Sequence, residues 1–277
     1  MDGLLACVDR RLDLSQPVVM GILNVTPDSF SDGGCYSSVL AAIDAGLAMQ
    51  ALGAAIVDVG GESTRPGAQP VPVDQEIARV LPVVEGLARR QVLVSVDTSS
   101  PELMRLAADA GAGMINDVRG FRRPGALAAL AATRLAACVM HAQGEPQTMQ
   151  RDPVYSNVVT EVKAFLAERL QACRAAGITA DRLIVDPGFG FGKTAVHNLE
   201  LLRGLPQIVQ LGAPVLVGLS RKSLVGLLTG RAVGERLAGS LALAMLAIRA
   251  GASIVRAHDV QETMDVLKVI RQVEQGI

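Results

Sequence analysis

Val18-Val19-Met20-Gly21-Ile22-Leu23-Asn24-Val25-Thr26-Pro27-Asp28 is an apolar run that ends in an amide and breaks into a loop at proline. A short, continuously apolar run of this kind predicts a strand covered on both faces, as in a parallel sheet. Its own last residues bear on which parallel sheet this is. The dinucleotide-binding open sheet wants GxGxxG after its first strand, and Gly21-Ile22-Leu23-Asn24 does not supply it. Outward from this stretch the pattern repeats: Ala55–Val59, Val92–Val96, Met114–Asp117, Leu135–Met140, Leu183–Asp186, Pro214–Gly218 and Ser253–Arg256 read as further strands. Between and after them lie segments of helical periodicity, among them Ser38–Leu52, Asp74–Arg89, Pro101–Ala110, Val154–Ala176, Arg236–Ala250 and Val260–Val273. An open doubly wound sheet accommodates the same alternation. Eight strands with helical crossovers fit a (β/α)8 barrel of roughly 250 residues better. No linker or shift of composition interrupts the chain, so one α/β domain is expected over 1–277, with its core over about 18–273.

Polar residues sharpen the barrel reading. Asn24 ends the first strand, Asp97 follows the third, and Asn116-Asp117 end the fourth. Met140-His141 end the fifth, Asp186 ends the sixth, Ser220-Arg221-Lys222 follow the seventh, and Arg256 and His258 end the eighth. In a closed barrel these positions converge on one mouth, the face on which such enzymes place their sites. The opposite strand ends carry Leu52-Gly53, Ala110-Gly111 and Ala250-Gly251, ordinary helix C-caps.

Composition narrows the function. Lys+Arg 26 against Asp+Glu 27 gives a net charge of -1, and five Phe, two Tyr and no Trp leave little to stack nucleobases on. A nucleic-acid partner is therefore not expected. The longest apolar stretch, Leu237 to Ile248, is too short to span a bilayer and ends at Arg249. Asp2, Asp9 and Asp13 near the start do not resemble a secretory signal. Cys7, Cys35, Cys138 and Cys173 form no CxxC pair, so neither a zinc site nor a redox pair is indicated. A reduced, cytoplasmic, membrane-free protein is the expectation.

Five loops carry chemistry. Thr26 to Gly34, with Pro27, Asp28 and Asp32, is long enough to form a lid over a site. Gly60-Gly61-Glu62-Ser63-Thr64-Arg65-Pro66-Gly67 offers a guanidinium fork and a hydroxyl donor, although its glycines and proline alone could mark a surface turn. Asp186-Pro187-Gly188-Phe189-Gly190-Phe191-Gly192-Lys193-Thr194 approaches the nucleotide-binding pattern GxxxxGK[ST] but has Pro187 where glycine is required. A strand-end carboxylate beside two Phe side chains suits a flat polar heterocycle better than a triphosphate. Ser220-Arg221-Lys222-Ser223 and Arg256-Ala257-His258 place cations after strands seven and eight, the usual phosphate location in barrels. There is no HExxH, no GxSxG and no Cys beside a suitable His motif. A site with charges and hydrogen bonds but no nucleophile points to a transferase or lyase whose substrate carries its own leaving group.

Taken together, Asn24 to Gly33, Gly61 to Gly67, Ser95-Val96-Asp97-Thr98, Ile115-Asn116-Asp117, Asp186 to Lys193, Ser220 to Ser223 and Arg256-Ala257-His258-Asp259 resemble the dihydropteroate synthase family. The likeness runs from about Val18 to Val269, with the motifs in the family's order and spacing. It implies a (β/α)8 barrel that joins 6-hydroxymethyl-7,8-dihydropterin pyrophosphate to p-aminobenzoate and releases pyrophosphate, the folate-pathway step that sulfonamides inhibit. It also implies Asn24 as a ligand of Mg²⁺, a hard cation that takes oxygen donors. Thr64, Arg256 and His258 match the diphosphate-binding groups. Asp97, Asn116, Asp186 and Lys222 match the pterin contacts, with Met140, Phe191 and Gly218 lining that pocket. Phe30, Arg65, Pro66 and Ser223 match the p-aminobenzoate pocket. Asp97, Lys222, Arg256 and His258 are the residues it implicates in catalysis. One departure is Ala142, where the family's pattern has Met after His141. Looser packing behind the fifth loop is expected there, with none of the matched positions affected.

Two other readings share the barrel. A pterin-dependent methyltransferase domain would not need the Thr64-Arg65-Pro66 and Ser220-Arg221-Lys222-Ser223 loops. A non-catalytic pterin-binding paralogue would be marked by loss of Asn24, Asp97, Lys222 or His258, all of which are present. Finally, Leu237, Leu241, Leu243, Met245, Leu246 and Ile248 cover more than one face of a helix that an outer barrel position would leave half polar. A homodimer that buries this helix is expected, and the resemblance implies the same.

Overall fold

The computed structural model describes residues 3–25, 39–62, 71–144 and 148–275. The first element is a hairpin that the strand pattern did not signal, β1 (Leu4–Cys7) and β2 (Arg10–Asp13), antiparallel with Cys7 opposite Arg10. The barrel strands come next: β3 (Val18–Asn24), β4 (Ile56–Gly60), β5 (Val94–Asp97), β6 (Met114–Asp117), β7 (Ala136–Met140), β8 (Leu183–Asp186), β9 (Leu216–Val217) and β10 (Ile254–Ala257). They pair in parallel in the order β8-β7-β6-β5-β4-β3-β10-β9. A parallel bridge from Val185 to Val215, with the Val185 amide donating to Pro214 O at 3.0 Å, brings β8 to the start of β9 and closes the ring. The (β/α)8 expectation is met, with strand ends displaced by one or two residues. The third barrel strand runs Val94–Asp97 instead of Val92–Val96, so Asp97 belongs to the strand and does not follow it.

The crossovers are α1 (Val39–Ala51), α2 (Val73–Ala88), α3 (Pro101–Asp109), α4 (Ala126–Ala131), α5 (Val158–Ala175), α6 (Ala195–Arg203), α7 (Leu205–Val209), α8 (Ser223–Thr229) and α9 (Leu237–Arg249), and α10 (Val260–Gln275) closes the series. Their starts obey local chemistry. Asn157 Oδ1 accepts from Thr160 N at 2.9 Å while Glu161 Oε1 accepts from Ser156 N and Asn157 N, so α5 begins at Val158 and not at Val154. At α3, Pro101 takes the first helical position, where its missing N–H is not needed, and Ser100 caps.

The ladder register sets what faces inward. Because side chains alternate along a strand, Val19, Leu23, Val57, Val59, Val94, Val96, Val139 and Val185 point outward and pack beneath the helices. Met20, Ile56, Met114, Cys138, Ile184, Leu216 and Ile254 point inward and form a dry lower layer. Leu5 and Cys7 of the hairpin join that layer, so the hairpin plugs the end of the barrel away from the site. Burying a side chain such as Leu5, only 1% exposed, contributes roughly 1.5–3 kcal/mol.

Candidate active site

Toward the C-terminal ends of the strands, one or two alternation steps above the dry layer, most inward positions turn polar. Asn24 on β3, Asp58 on β4, Asp97 on β5, Asn116 on β6, Met140 on β7, Asp186 on β8 and Arg256 on β10 stand at or near the C-terminal ends of their strands. Asp97, Asn116, Val118, Met140, Asp186, Phe191, Gly218, Lys222 and Arg256 line a single cavity at this mouth. The structure thus brings together the residues matched to the pterin. Phe30, Thr64, Arg65 and Pro66 lie outside the described residues, as does Cys35.

Arg256 is clamped between two carboxylates: Nε donates to Asp58 Oδ2 at 2.7 Å and Nη2 to Asp97 Oδ2 at 3.1 Å. Asn116 Nδ2 donates to the same Asp58 oxygen at 3.2 Å. Burial raises the Asp97 carboxyl, its ion pair with Arg256 pulls it back toward the ionised form, and Asp58 and Asp117 add to the rise. Burial also raises Asp186, opposed by the Lys222 ammonium, while Gly188 N donates to its Oδ1 at 2.7 Å. Lys222 is drawn down to about 8 by burial, which Asp186 resists. Its Nζ donates to Phe189 O and lies 4.5 Å from the centroid of the Phe191 ring.

The loop after β8 is held from behind. Lys193, 3% exposed, donates through Nζ to Gly188 O at 2.9 Å and to Phe191 O at 3.1 Å, and lies 2.9 Å from His141 Nδ1. Burial, with the neighbouring Lys193 charge, holds the His141 imidazole down at about 3. Gln150 Nε2 donates to Gly190 O, and Tyr155 Oη donates to Gly192 O at 2.9 Å. The segment that carries Phe189 and Phe191 is therefore pinned by the segment after β7. Ala142 packs with Val118, Met140 and Phe191, so the departure from the family pattern abuts two matched positions, contrary to the expectation that it would leave them untouched.

At the opposite rim, Ser220 Oγ lies 3.0 Å from His258 Nδ1 and accepts from His258 N at 3.2 Å. Arg221 adopts a left-handed backbone (φ 57) and its Nε donates to Asp259 Oδ2 at 3.1 Å. These contacts fix the turn that presents Lys222 inward and leaves Ser223 exposed at the first position of α8. Asp117 is a different case. Its carboxylate faces away from the mouth and accepts from Ser99 Oγ, Arg119 N and Phe121 N, so it shapes the loop after β6 and does not line the cavity.

Asn24 Oδ1 and Asp97 Oδ2 each lie 3.9 Å from the place a Cβ would occupy on Gly60, so glycine leaves open the space between two oxygen donors. Those are hard ligands of the kind Mg²⁺ prefers, although no group of three His, Cys, Asp or Glu is placed to hold a metal among the described residues. Asp58 is the residue that the sequence reading missed. The available signal was one acid inside Ile56-Val57-Asp58-Val59-Gly60, on the inward parity of an otherwise apolar strand.

Residues 20–258 match the family model described as pterin binding enzyme. The dihydropteroate synthase of Escherichia coli (strain K12) is 52% identical over 260 residues, covering 94% of this chain and 92% of that protein. The Yersinia pestis dihydropteroate synthase, solved in a sulfonamide drug complex, is 46% identical and superposes with a TM-score of 0.95 over 99% of this chain and 100% of that one. The Xanthomonas albilineans dihydropteroate synthase has been solved with 4-aminobenzoic acid (TM-score 0.93, 50% identity, 100% of both chains) and with 7,8-dihydropteroate (TM-score 0.89, 48% identity, 99% of both chains). With its barrel, its polar mouth and a match across nearly its whole length, the chain belongs to the pterin-binding enzymes and, among them, to the dihydropteroate synthase family of transferases.

Proposed function

We propose that the chain condenses 6-hydroxymethyl-7,8-dihydropterin pyrophosphate with p-aminobenzoate, giving 7,8-dihydropteroate and pyrophosphate, within one barrel domain. The observation that carries this reading is the inner ring of the mouth. Two carboxylates, Asp97 and Asp186, and two cations, Arg256 and Lys222, share a pocket walled by Met140 and Phe191, with the Asp58 carboxylate behind Arg256. Asp186, Asn116 and Asp97 supply acceptors for the N–H edge of a pterin, and Lys222 supplies a donor. In this reading Arg256, His258 and Thr64 hold the diphosphate as it leaves, the roles that the family resemblance implies for them. Phe30, Arg65, Pro66 and Ser223 form the second pocket in this reading.

In the reaction, the bond between the pterin methylene carbon and the diphosphate oxygen breaks, and its electron pair departs with the diphosphate. The p-aminobenzoate nitrogen then bonds to that carbon and loses one proton to solvent. The positive charge that spreads into the ring meets an excess of carboxylate, while Arg256 and His258 draw off the leaving group. Asn24 and Asp97 are the oxygen donors that would hold Mg²⁺, which when bound neutralises diphosphate charge. Aromatic amines are nucleophilic while neutral, so the reaction needs no strong base at the mouth.

Two further parts of the proposal rest on other observations. Leu237, Met245 and Leu246 of α9 are 37%, 41% and 49% exposed, and α9 packs between α8, with Leu227 and Leu228 exposed, and α10, with Val269 and Val273 exposed. A second copy of the chain covering these helices would bury that apolar surface, and a monomer by light scattering at micromolar concentration would refute the homodimer. A cytoplasmic setting is consistent with the buried free thiols of Cys7, Cys138 and Cys173; among the described residues no helix is long and apolar enough to cross a membrane.

The test is pyrophosphate release from the dihydropterin pyrophosphate, with and without p-aminobenzoate, in Mg²⁺ and in chelator. Mg²⁺-dependent release accompanied by dihydropteroate, with sustained turnover only when p-aminobenzoate is present, is expected. Tight pterin binding without release would make the chain a binding module.

A further inference from the structure

We propose that Asp58 is a positioning residue that fixes the orientation of the Asn116 amide and thereby makes the pocket select a ring edge rich in hydrogen-bond donors. The inference rests on the pterin reading of the mouth and deepens it. Asp58 is not itself part of the cavity lining, lies wholly buried, and commits one oxygen to two donors: Arg256 Nε at 2.7 Å and Asn116 Nδ2 at 3.2 Å. An ionised carboxylate only accepts, and Arg256 supplies the counter-charge. Asn116 must therefore turn its NH₂ group toward Asp58 and its carbonyl away.

That carbonyl is the second observation. Asn116 is 4% exposed and lines the cavity, yet its Oδ1 has no hydrogen-bond partner. Leaving a buried acceptor without a donor is costly, so a carbonyl held in this state is poised for a donor that arrives with a ligand. Asp186, buried and facing the same cavity, is another acceptor. Two acceptors on one cavity fit a ring N–H and an exocyclic amine. Were the amide reversed, its carbonyl would face the Asp58 carboxylate and its NH₂ would face the pocket, favouring a ring that carries a carbonyl there. Asp58 thus sets the hydrogen-bonding pattern of the site without touching its ligand.

The experiment is calorimetric titration of the full chain with 6-hydroxymethylpterin, which carries a 2-amino group, and with 6-hydroxymethyllumazine, which carries a 2-oxo group. Neither has a diphosphate, so the hold of Arg256 on the leaving group does not enter. The wild type is expected to favour the pterin at least tenfold. In Asp58→Asn the new carboxamide can donate to Asn116 Oδ1 and let that amide reverse, so the preference is expected to fall at least tenfold. In Asp58→Ser, where a hydroxyl both donates and accepts, it is expected to fall at least threefold. A merely structural role would weaken both ligands by the same factor and leave the ratio where it was, and an unchanged ratio in either folded variant overturns the inference. A wild type that prefers the pterin less than threefold overturns it with no variant needed. A wild type that binds neither pteridine instead overturns the pterin reading itself.

Discussion

Replacing Gly188 with alanine tests whether the loop after β8 is placed by its contact with the segment after β7. A Cβ on Gly188 would lie 1.8 Å from His141 O, where real contacts stay beyond 3.0 Å, so the backbones must part by about 1.2 Å. Gly188 also has φ +70, a left-handed conformation that costs an L-residue roughly 1–2 kcal/mol. The displacement stretches the ammonium bond from Lys193 to Gly188 O, now 2.9 Å, and bonds to charged groups are worth about 1.5–3 kcal/mol. Together these predict about 2.5–5 kcal/mol of destabilisation by urea unfolding. The same movement carries Gly188 N away from Asp186 and shifts the carbonyl that receives Lys222. A misplacement of about 1 Å costs around 10²-fold in rate, so kcat/KM for the pterin pyrophosphate should fall by about that factor. Gly177→Ala is the control: its φ is +90, but nothing lies within 4 Å of the added methyl. It should show only the conformational cost, roughly 1–2 kcal/mol, with unchanged kcat/KM. If Gly188→Ala keeps kcat/KM within threefold of wild type, the loop is not positioned by this contact and the reasoning fails.

Lys222→Met removes the donor to Phe189 O and the main counter-charge of Asp186, so the pterin dissociation constant should rise by about 10- to 100-fold. Because Lys222 is protonated only below about 8, wild-type pterin affinity should also weaken above that pH, and part of that loss should be missing from the variant's profile; unchanged affinity would remove Lys222 from the pterin pocket. Arg65→Ala should raise the KM for p-aminobenzoate more than that for the pterin pyrophosphate, and the reverse split would reject its place in the second pocket. The chain has three histidines, and nitrogen-15 spectra of their imidazoles should show one, His141, neutral down to about pH 3. Its folded pKa lies below the unfolded value near 6.5, so its contribution to stability is complete above pH 6.5 and is lost as the pH falls toward 3; three imidazoles all titrating near 6 would contradict the buried pair with Lys193.

The barrel was legible because parallel strands buried on both faces must be continuously apolar, and a polar residue at their C-terminal ends stands out against that background. Asn24, Asp97, Asn116, Asp186 and Arg256 were visible for this reason, and all five reach the mouth. Asp58 was hidden by the same logic, since it sits inside an apolar strand where a pattern reading averages it away; only the register, Gly60 opposite Asp97 and Asp58 opposite Ser95, shows it facing the interior. Asp117 shows the converse. Adjacent to Asn116 in sequence, it points outward by alternation; Arg119 N and Phe121 N reach it from its own loop and Ser99 Oγ from the loop after β5. The β1–β2 hairpin left little trace because its strands are four residues each and β2 is half exposed, with no long apolar run. The pairing of Lys193 with His141 spans 52 residues and two loops, and no local pattern encodes such a contact.

Among the described residues, the interior also fits the electrostatic work proposed for this mouth. Cys138 points into the barrel from β7, one alternation step below Met140, and pairs in register with Asn116 and Ile184. Burial and the nearby Asp186, Asp58 and Asp97 carboxylates drive its thiol well above the ordinary range. The ring of acids that would favour a cationic pterin therefore disfavours a thiolate beneath it, since both effects are one field acting on charges of opposite sign. Ser95, the other inward nucleophile at this level, has no base within hydrogen-bond distance of its Oγ. A mouth that attracts positive charge, with no activated thiol or hydroxyl among its described inward side chains, assists the proposed reaction by stabilising the cation left as a negative group departs. That is the chemistry to which a diphosphate on an electron-rich ring is suited.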